Sequence, residues 1–113
     1  MGYRVHQRTT SKISYAEGNF SYEQEQLASV IENYSCFANL SDDSGYPKEQ
    51  WEIPIEELKQ VIEGLKKDFK PDEQVFTDWT QQELIDTFER WININKKNKD
   101  NLDYPDLIIL DWF

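Results

Sequence analysis

Carboxylates are the reactive groups that this sequence supplies in quantity. Of its 113 residues, 22 are Asp or Glu and 12 are Lys or Arg, so the formal net charge is −10 at pH 7. Two carboxylates can act as general acid and general base in glycoside or phosphate chemistry when their environments differ. The spacing of the acids selects no such pair, and their abundance alone therefore predicts no catalytic site.

The other side chains that could react occur once each. His6 is the sole histidine and Cys36 is the sole cysteine. A Ser–His–carboxylate triad would have to use His6, which stands in a predicted strand without the glycines of a nucleophile turn. A reactive thiol is activated by a cationic neighbour, and no basic residue lies close to Cys36 in the sequence. We therefore expect both residues to be structural and the protein not to be an enzyme.

Metal-binding and phosphate-binding motifs are incomplete. The acidic turn Asp42-Asp43-Ser44-Gly45 would need an oxygen ligand at the first position of a calcium loop, and Leu40 occupies that position. A lone cysteine cannot form an internal disulfide or a cysteine-based metal cluster. The four glycines form no phosphate-binding loop. The sequence predicts no metal site and no cofactor.

Negative charge is concentrated in residues 21–58. This stretch holds nine acids and one base, Lys48, a balance of −8. One interpretation is that these carboxylates only keep the protein soluble. The sharper interpretation is that they dock a basic protein surface by imitating the phosphates of DNA, which lie ~3.4 Å apart along each strand. The residues predicted to bind this partner are Asp42, Asp43, Glu49, Trp51, Glu52, Glu56 and Glu57.

Aromatic residues outside the helical stripes are expected to add contact area to such an interface. The candidates are Trp51, Trp79, Tyr46 and Tyr104. The sequence thus predicts a non-enzymatic binding protein whose acidic surface meets a cationic partner.

Charge and hydropathy also indicate which partners are unsuitable. A strongly negative protein repels DNA, RNA and anionic lipid, so direct nucleic-acid binding is disfavoured. No apolar run approaches the ~20 residues that a transmembrane helix needs. The chain begins Met1-Gly2-Tyr3-Arg4 without an apolar stretch behind it. We expect no membrane contact and a cytoplasmic localisation.

An alternative function rests on the opposite charge. The N-terminal segment carries Arg4, Arg8 and Lys12, and the aromatic residues Tyr3 and Tyr15 could stack on a base. This combination indicates a protein that binds or sequesters a small ligand such as a nucleotide.

Helical spacing and capping residues predict three helices. A Ser-x-x-Gln capping box at Ser21 begins the first helix, and a Thr-x-x-Glu capping box at Thr80 begins the third. The second is expected to begin near Pro54, because proline suits a first helical turn, and to end before Pro71. A polar loop is expected over residues 93–103.

Gly64 interrupts the pattern of the second helix. Glycine inside a helix costs about 1 kcal/mol relative to alanine. Its presence indicates either a close approach of another element or an exposed position.

Alternating and β-branched residues predict the strands. The N-terminal strand covers residues 3–10, and Ile13 and Tyr15 indicate a short second strand or an extension of the first. Val75 and Phe76 indicate a short edge strand, and the apolar run 107–110 indicates a buried strand.

The fold class that follows is α+β, in one domain covering residues 1–113. We expect a small antiparallel or mixed sheet in which the N-terminal strand pairs with the C-terminal strand, with three helices packed on one face. If the terminal strand with Trp112 and Phe113 lacked a partner within the chain, pairing across a two-fold axis in a homodimer would cover it.

In general character the chain resembles small acidic proteins of bacteriophages and prophages. The features behind the resemblance are the short length, the net charge, the run from Thr80 to Ile85 and the terminus Leu110-Asp111-Trp112-Phe113. Some proteins of this kind inhibit host defence nucleases, as anti-CRISPR and anti-restriction proteins do. The resemblance implies an inhibitor of a nucleic-acid-binding enzyme and assigns no role to a particular residue.

Overall fold

The computed structural model of the chain describes residues 5–9, 12–15, 24–35, 40–41, 47–76, 79–102 and 104–112, and for residues 8, 9, 12–15 and 101 it describes the backbone alone. The helices and strands are β1 (Val5–Thr9), β2 (Lys12–Tyr15), α1 (Gln24–Tyr34), β3 (Gln50–Pro54), α2 (Ile55–Asp68), β4 (Gln74–Phe76), β5 (Trp79–Thr80), α3 (Gln81–Lys97) and β6 (Leu107–Trp112). A 3-10 turn, Lys99–Asn101, follows α3.

The larger sheet has four antiparallel strands in the order β2-β1-β6-β3. Val5 lies opposite Trp112 and Gln7 lies opposite Leu110. This register confirms the predicted pairing of the N-terminal and C-terminal strands, and it places β6 inside the sheet rather than at an edge. The smaller sheet is the hairpin of β4 and β5, which confirms the short strand at Val75 and Phe76.

One face of the four-stranded sheet forms the floor of the core. On β6, the residues Ile108, Leu110 and Trp112 are buried and alternate with less buried neighbours. The registers place Val5 of β1 and Trp51 of β3 on the same face. Helix α3 packs across β1 and β6, α2 packs on β3, and α1 packs on α2. The predicted α+β class, with three helices and a small antiparallel sheet, is confirmed.

Helix α2 owes its position to one apolar stripe. Leu58, Val61 and Leu65 are fully buried, and each such side chain contributes about 1.5–3 kcal/mol on leaving water. Pro54 precedes the helix with φ −60° and offers no side-chain cap. The acids of the first turn, Glu56 and Glu57, interact favourably with the helix dipole there.

Strand β3 was missing from the sequence interpretation, which placed only a helix start at Pro54. Trp51 and Ile53 are buried and alternate with exposed Gln50 and Glu52. The period of two that marks a strand was therefore present, but it covers only five residues and contains two polar ones.

The polar loop expected over residues 93–103 was also wrong at its start, because α3 continues to Lys97. Asn95 is buried on the inner face of this helix. Its Nδ2 donates to the Leu107 carbonyl at 2.6 Å, and its Oδ1 accepts from Gln7 Nε2 at 3.2 Å. A buried amide with these partners is stable inside a helix, so its polarity was no sign of a loop.

The capping box at Thr80 is confirmed. Thr80 Oγ1 accepts from the Glu83 N–H at 3.3 Å, and Glu83 Oε1 accepts from the Thr80 N–H at 3.2 Å. The capping serine expected for the first helix, Ser21, lies outside the described residues.

Gly64 allows the close approach of α1 to α2. A Cβ at this position would overlap the ring of Tyr34 at the end of α1. Of the two interpretations open from the sequence, the close approach is the one the structure confirms.

Candidate functional site

The seven residues predicted to bind a partner do not form one surface. Asp42 and Asp43 lie outside the described residues. Trp51 and Glu57 are buried, and the remaining three are exposed: Glu49, Glu52 and Glu56.

Trp51 is a core residue, which corrects its expected exposure. Its side chain is 1% exposed, and its ring centroid lies 5.1 Å from that of Trp112 at an interplanar angle of 59°. The alternation of β3 turns Trp51 toward the helices, because its neighbours Gln50 and Glu52 take the other face. The tryptophan therefore supplies no contact area to a partner.

The other aromatic candidates differ in exposure. Tyr46 lies outside the described residues. Trp79 is half-buried and packs against the core, whereas Tyr104 is 65% exposed. Tyr104 is therefore the aromatic candidate that remains available for contact.

Glu57 is a structural residue, which also corrects the prediction. It is 5% exposed, and its Oε2 accepts a 2.7 Å hydrogen bond from Ser35 Oγ. A buried carboxylate is costly unless it is hydrogen-bonded. The bond joins the residue after α1 to the first turn of α2, so Glu57 holds two helices together.

The solvent side of the sheet brings together acids from two distant segments. Glu52 on β3 lies directly opposite half-buried Ile109 on β6. Gln50 lies opposite Asp111, and its Nε2 donates to Asp111 Oδ1 at 2.9 Å. Glu52 and Asp111 are diagonal neighbours on one face, a relation that usually corresponds to ~7–8 Å between backbones.

Glu49 stands one residue before β3, at the same end of the sheet. It is exposed, and its carbonyl accepts from the Trp112 N–H at 2.8 Å, which fixes it beside the end of β6. We call exposed Glu49, exposed Glu52 and half-buried Asp111 the acidic strand surface. Sequence reasoning missed Asp111, because its place beside Glu52 depends on the pairing of β3 with β6.

The exposed side of α2 carries a different charge pattern. Lys59 Nζ lies 3.5 Å from Glu56 Oε1, and Lys66 Nζ lies 3.9 Å from Glu63 Oε1. Exposed ion pairs of this kind contribute about 0–1 kcal/mol each. They nevertheless neutralise the acids locally, so the acidic region expected to continue along the second helix ends at β3.

Acids near the start of α3 serve local structure. Glu83 completes the capping box with Thr80. Asp86 accepts from Gln82 Nε2 at 2.8 Å, one helical turn away. These contacts account for the two carboxylates without a partner molecule.

Tyr34 has the one perturbed ionisation that bears on the packing of α1 against α2. Burial, together with the hydrogen bond that its hydroxyl donates to Asp68 Oδ2 at 2.6 Å, raises the pKa of Tyr34 to about 12. Because the protonated phenol donates this bond, the arrangement favours the neutral tyrosine. The group stabilises the helix pair and has no feature of a catalytic acid.

The single histidine lies within the sheet. His6 is buried, and it faces Asp111 on β6 and Tyr15 on β2 in the strand registers. Cys36 lies outside the described residues. Within the described ranges, no group of three His, Cys, Asp or Glu side chains is arranged to hold a metal ion.

The basic N-terminal segment is described only in part. Tyr3 and Arg4 lie outside the described residues. For Arg8, Lys12 and Tyr15 the backbone is described, and it forms the β1–β2 hairpin. Nucleotide binding by these residues stays a prediction.

Comparison with known proteins finds no match. No protein-family model matches it, no curated protein is detectably similar in sequence, and no solved structure matches it. Among the described residues, no helix is both long and apolar enough to cross a membrane.

Proposed function

We propose that the protein is a non-enzymatic binding protein that docks its acidic strand surface on a cationic protein surface. The observation that carries the proposal is the pairing of β3 with β6, which gathers Glu49, Glu52 and Asp111 at one end of the sheet. Half-buried Ile109 lies opposite Glu52 and adds apolar area to the same face.

The chemistry of this surface suits lysine and arginine side chains. Carboxylates at an interface speed association and select partners more than they increase affinity. An apolar residue among them supplies contact area that excludes water. The partner class we propose is a nucleic-acid-binding protein, such as a defence nuclease, whose phosphate-binding cations the carboxylates would occupy. In that role the protein would act as an inhibitor of the kind that some phage proteins provide.

The proposal is tested by affinity capture from a lysate of the source organism with three forms of the protein. These are the natural chain, the double variant Glu49→Gln/Glu52→Gln, and the matched control Glu63→Gln/Glu89→Gln, which removes the same charge from exposed positions on α2 and α3. Each captured protein is then purified, and its affinity is measured at low and high salt.

The proposal predicts a basic partner that binds the natural chain and the control equally. Affinity for the Glu49→Gln/Glu52→Gln variant should fall about tenfold or more, and raising the salt concentration should weaken the natural complex steeply. Equal binding by all three forms, or binding that salt does not affect, would refute docking through the acidic strand surface.

A further inference from the structure

A cavity of about 460 Å³ lies where α2 begins, α3 ends and the chain enters β6. Its volume falls within the roughly 300–1,000 Å³ of small-molecule sites. The acidic strand surface contributes none of its lining residues. The cavity is therefore a separate feature, suited by size to a small ligand rather than to a folded protein.

Three lysines from different elements converge on this cavity: Lys59 of α2, Lys96 near the end of α3 and Lys99 of the 3-10 turn. Lys59 pairs with Glu56 at 3.5 Å. Within the described ranges, neither Lys96 nor Lys99 has a carboxylate within the 4.0 Å of an ion pair. In a chain with almost twice as many acids as bases, two unpaired cations at one cavity indicate a place for an anion.

The charge of the lining favours an anion although two of the lining residues are acids. Glu56 and Asp106 offset two of the three lysines, which leaves a balance of +1 beside a protein of net charge −10. Ammonium groups held around one space repel each other, and a bound anion lowers that energy. The lining of the cavity is therefore positively charged, whereas the protein as a whole is negatively charged.

The walls add a second feature of nucleotide sites. Pro54, Ile55 and Pro105 line the cavity with apolar surface that has little conformational freedom. Tyr104 immediately precedes Pro105 and is 65% exposed. Tyr104 is not itself a lining residue, but an exposed aromatic ring one residue from the lining can stack on a nucleobase.

We propose that this cavity binds a small phosphate-bearing ligand of the nucleotide class. Lys96 and Lys99 contact the phosphate oxygens, Lys59 contributes when its pair with Glu56 opens, and Tyr104 contacts the base. The site is distinct from the basic N-terminal segment, to which the sequence had assigned nucleotide binding.

The test is a titration of the full chain, followed by amide NMR and calorimetry, with inorganic phosphate, ADP and adenosine as separate probes. The decisive variant is Lys96→Gln/Lys99→Gln. Its matched control is Lys67→Gln/Lys97→Gln, which removes two exposed lysines from α2 and α3 that do not line the cavity. Because all four lysines are exposed, both variants are expected to keep the stability of the natural chain.

The expected result is saturable binding of ADP, with shifts at residues 54–59 and 96–106. Affinity should fall about tenfold in Lys96→Gln/Lys99→Gln and less than about twofold in the control. The variant Glu56→Gln should bind ADP more tightly, because it removes a negative charge from the lining and breaks the ion pair that holds Lys59. Phosphate should bind more weakly than ADP, and a Tyr104→Ala variant should lose that advantage.

Two results would overturn the proposal. One is the absence of saturable binding by phosphate and ADP up to about 10 mM, a tenfold excess over a dissociation constant of about 1 mM. The other is an equal loss of affinity in the two lysine variants, which would mean that overall charge alone attracts the anion. The variant Glu49→Gln/Glu52→Gln should bind ADP like the natural chain, so the failure of this site and the failure of partner docking are separate outcomes.

Discussion

The outer face of the sheet at β3 and the outer face of α2 both carry glutamates, yet the charges next to those glutamates differ. On α2 the exposed acids Glu56 and Glu63 each have a lysine one helical turn away, at 3.5 Å and 3.9 Å. On the sheet, Glu52 has an acid, Asp111, as its diagonal neighbour. The helix neutralises its acids within one element, whereas the sheet gathers acids from two segments that are far apart in the sequence.

This difference is the basis for the proposed docking of the acidic strand surface on a cationic partner. A helical pair is formed by neighbours in sequence and needs no tertiary fold. Like charges directly opposite each other on adjacent strands lower stability, and we expect a smaller cost of the same sign for diagonal neighbours such as Glu52 and Asp111. The proposed docking on a cationic partner would offset that cost.

The largest expected effect concerns Trp51, the core residue on the opposite face of β3 from the acidic strand surface. Trp51 lies in the core directly behind Gln50 and Glu52. Replacing Trp51 with Ala should lower the free energy of unfolding by about 3–5 kcal/mol, as large-to-small changes in cores do. Urea denaturation measures the loss. If stability were unchanged and binding of a captured partner were lost, Trp51 would instead be a partner-binding residue.

The next effect concerns the contact between Gly64 of α2 and Tyr34 of α1. Gly64→Ala would improve helix propensity by about 1 kcal/mol, but the new Cβ overlaps the Tyr34 ring. Overpacking typically costs about 1–3 kcal/mol, so we expect a net loss of stability. In a Tyr34→Ala background the same substitution should become neutral or stabilising, and a double-mutant cycle measures the coupling. Additive effects would contradict the close approach.

Part of the fold could be predicted from local patterns in the sequence. The apolar run of β6 and the alternation at Val5 predicted that the chain ends pair, because burial leaves a hydrophobic strand few alternatives. The capping box at Thr80 was predictable because its bonds are local. Local patterns thus predicted the three helices and the pairing of β1 with β6.

Tertiary relations explain what was missed. Strand β3 is short and half polar, and its glutamates were interpreted as part of an acidic cluster rather than as the outer positions of a strand. Its absence from the prediction hid both the burial of Trp51 and the approach of Asp111 to Glu52, because each depends on the β3–β6 register. The lysine cavity was missed because it too depends on tertiary packing. Lys59 and Lys99 line one cavity only when α2 packs against α3.

A smaller effect comes from the pH dependence of the helix pair. Burial raises the pKa of Tyr34 to about 12, above the ordinary value of 10.0. A raised pKa means that the folded state holds the proton more tightly, so this stabilisation is complete below pH 10 and is lost as the pH rises from 10 to 12. Tyr34→Phe should therefore reduce the alkaline loss of stability while removing the bond to Asp68. Denaturant titrations at pH 8 and pH 11 measure the difference, and identical pH dependence in both proteins would contradict the assignment.

The smallest expected effect tests the comparison most directly, because one substitution type should act in opposite directions on the two faces. Glu52→Gln relieves repulsion with Asp111, whereas Glu63→Gln breaks the pair with Lys66, and each change is worth about 0.2–0.5 kcal/mol. Both variants lose the same charge, so the general relief of a −10 molecule cancels in the difference between them. At low salt, Glu52→Gln should therefore have the higher urea midpoint, and the difference should nearly vanish at about 1 M salt, where screening acts within ~3 Å. If Glu63→Gln were instead the more stable protein, the acids of the sheet would not be in repulsive contact, and the acidic strand surface would lose the property that distinguishes it from α2.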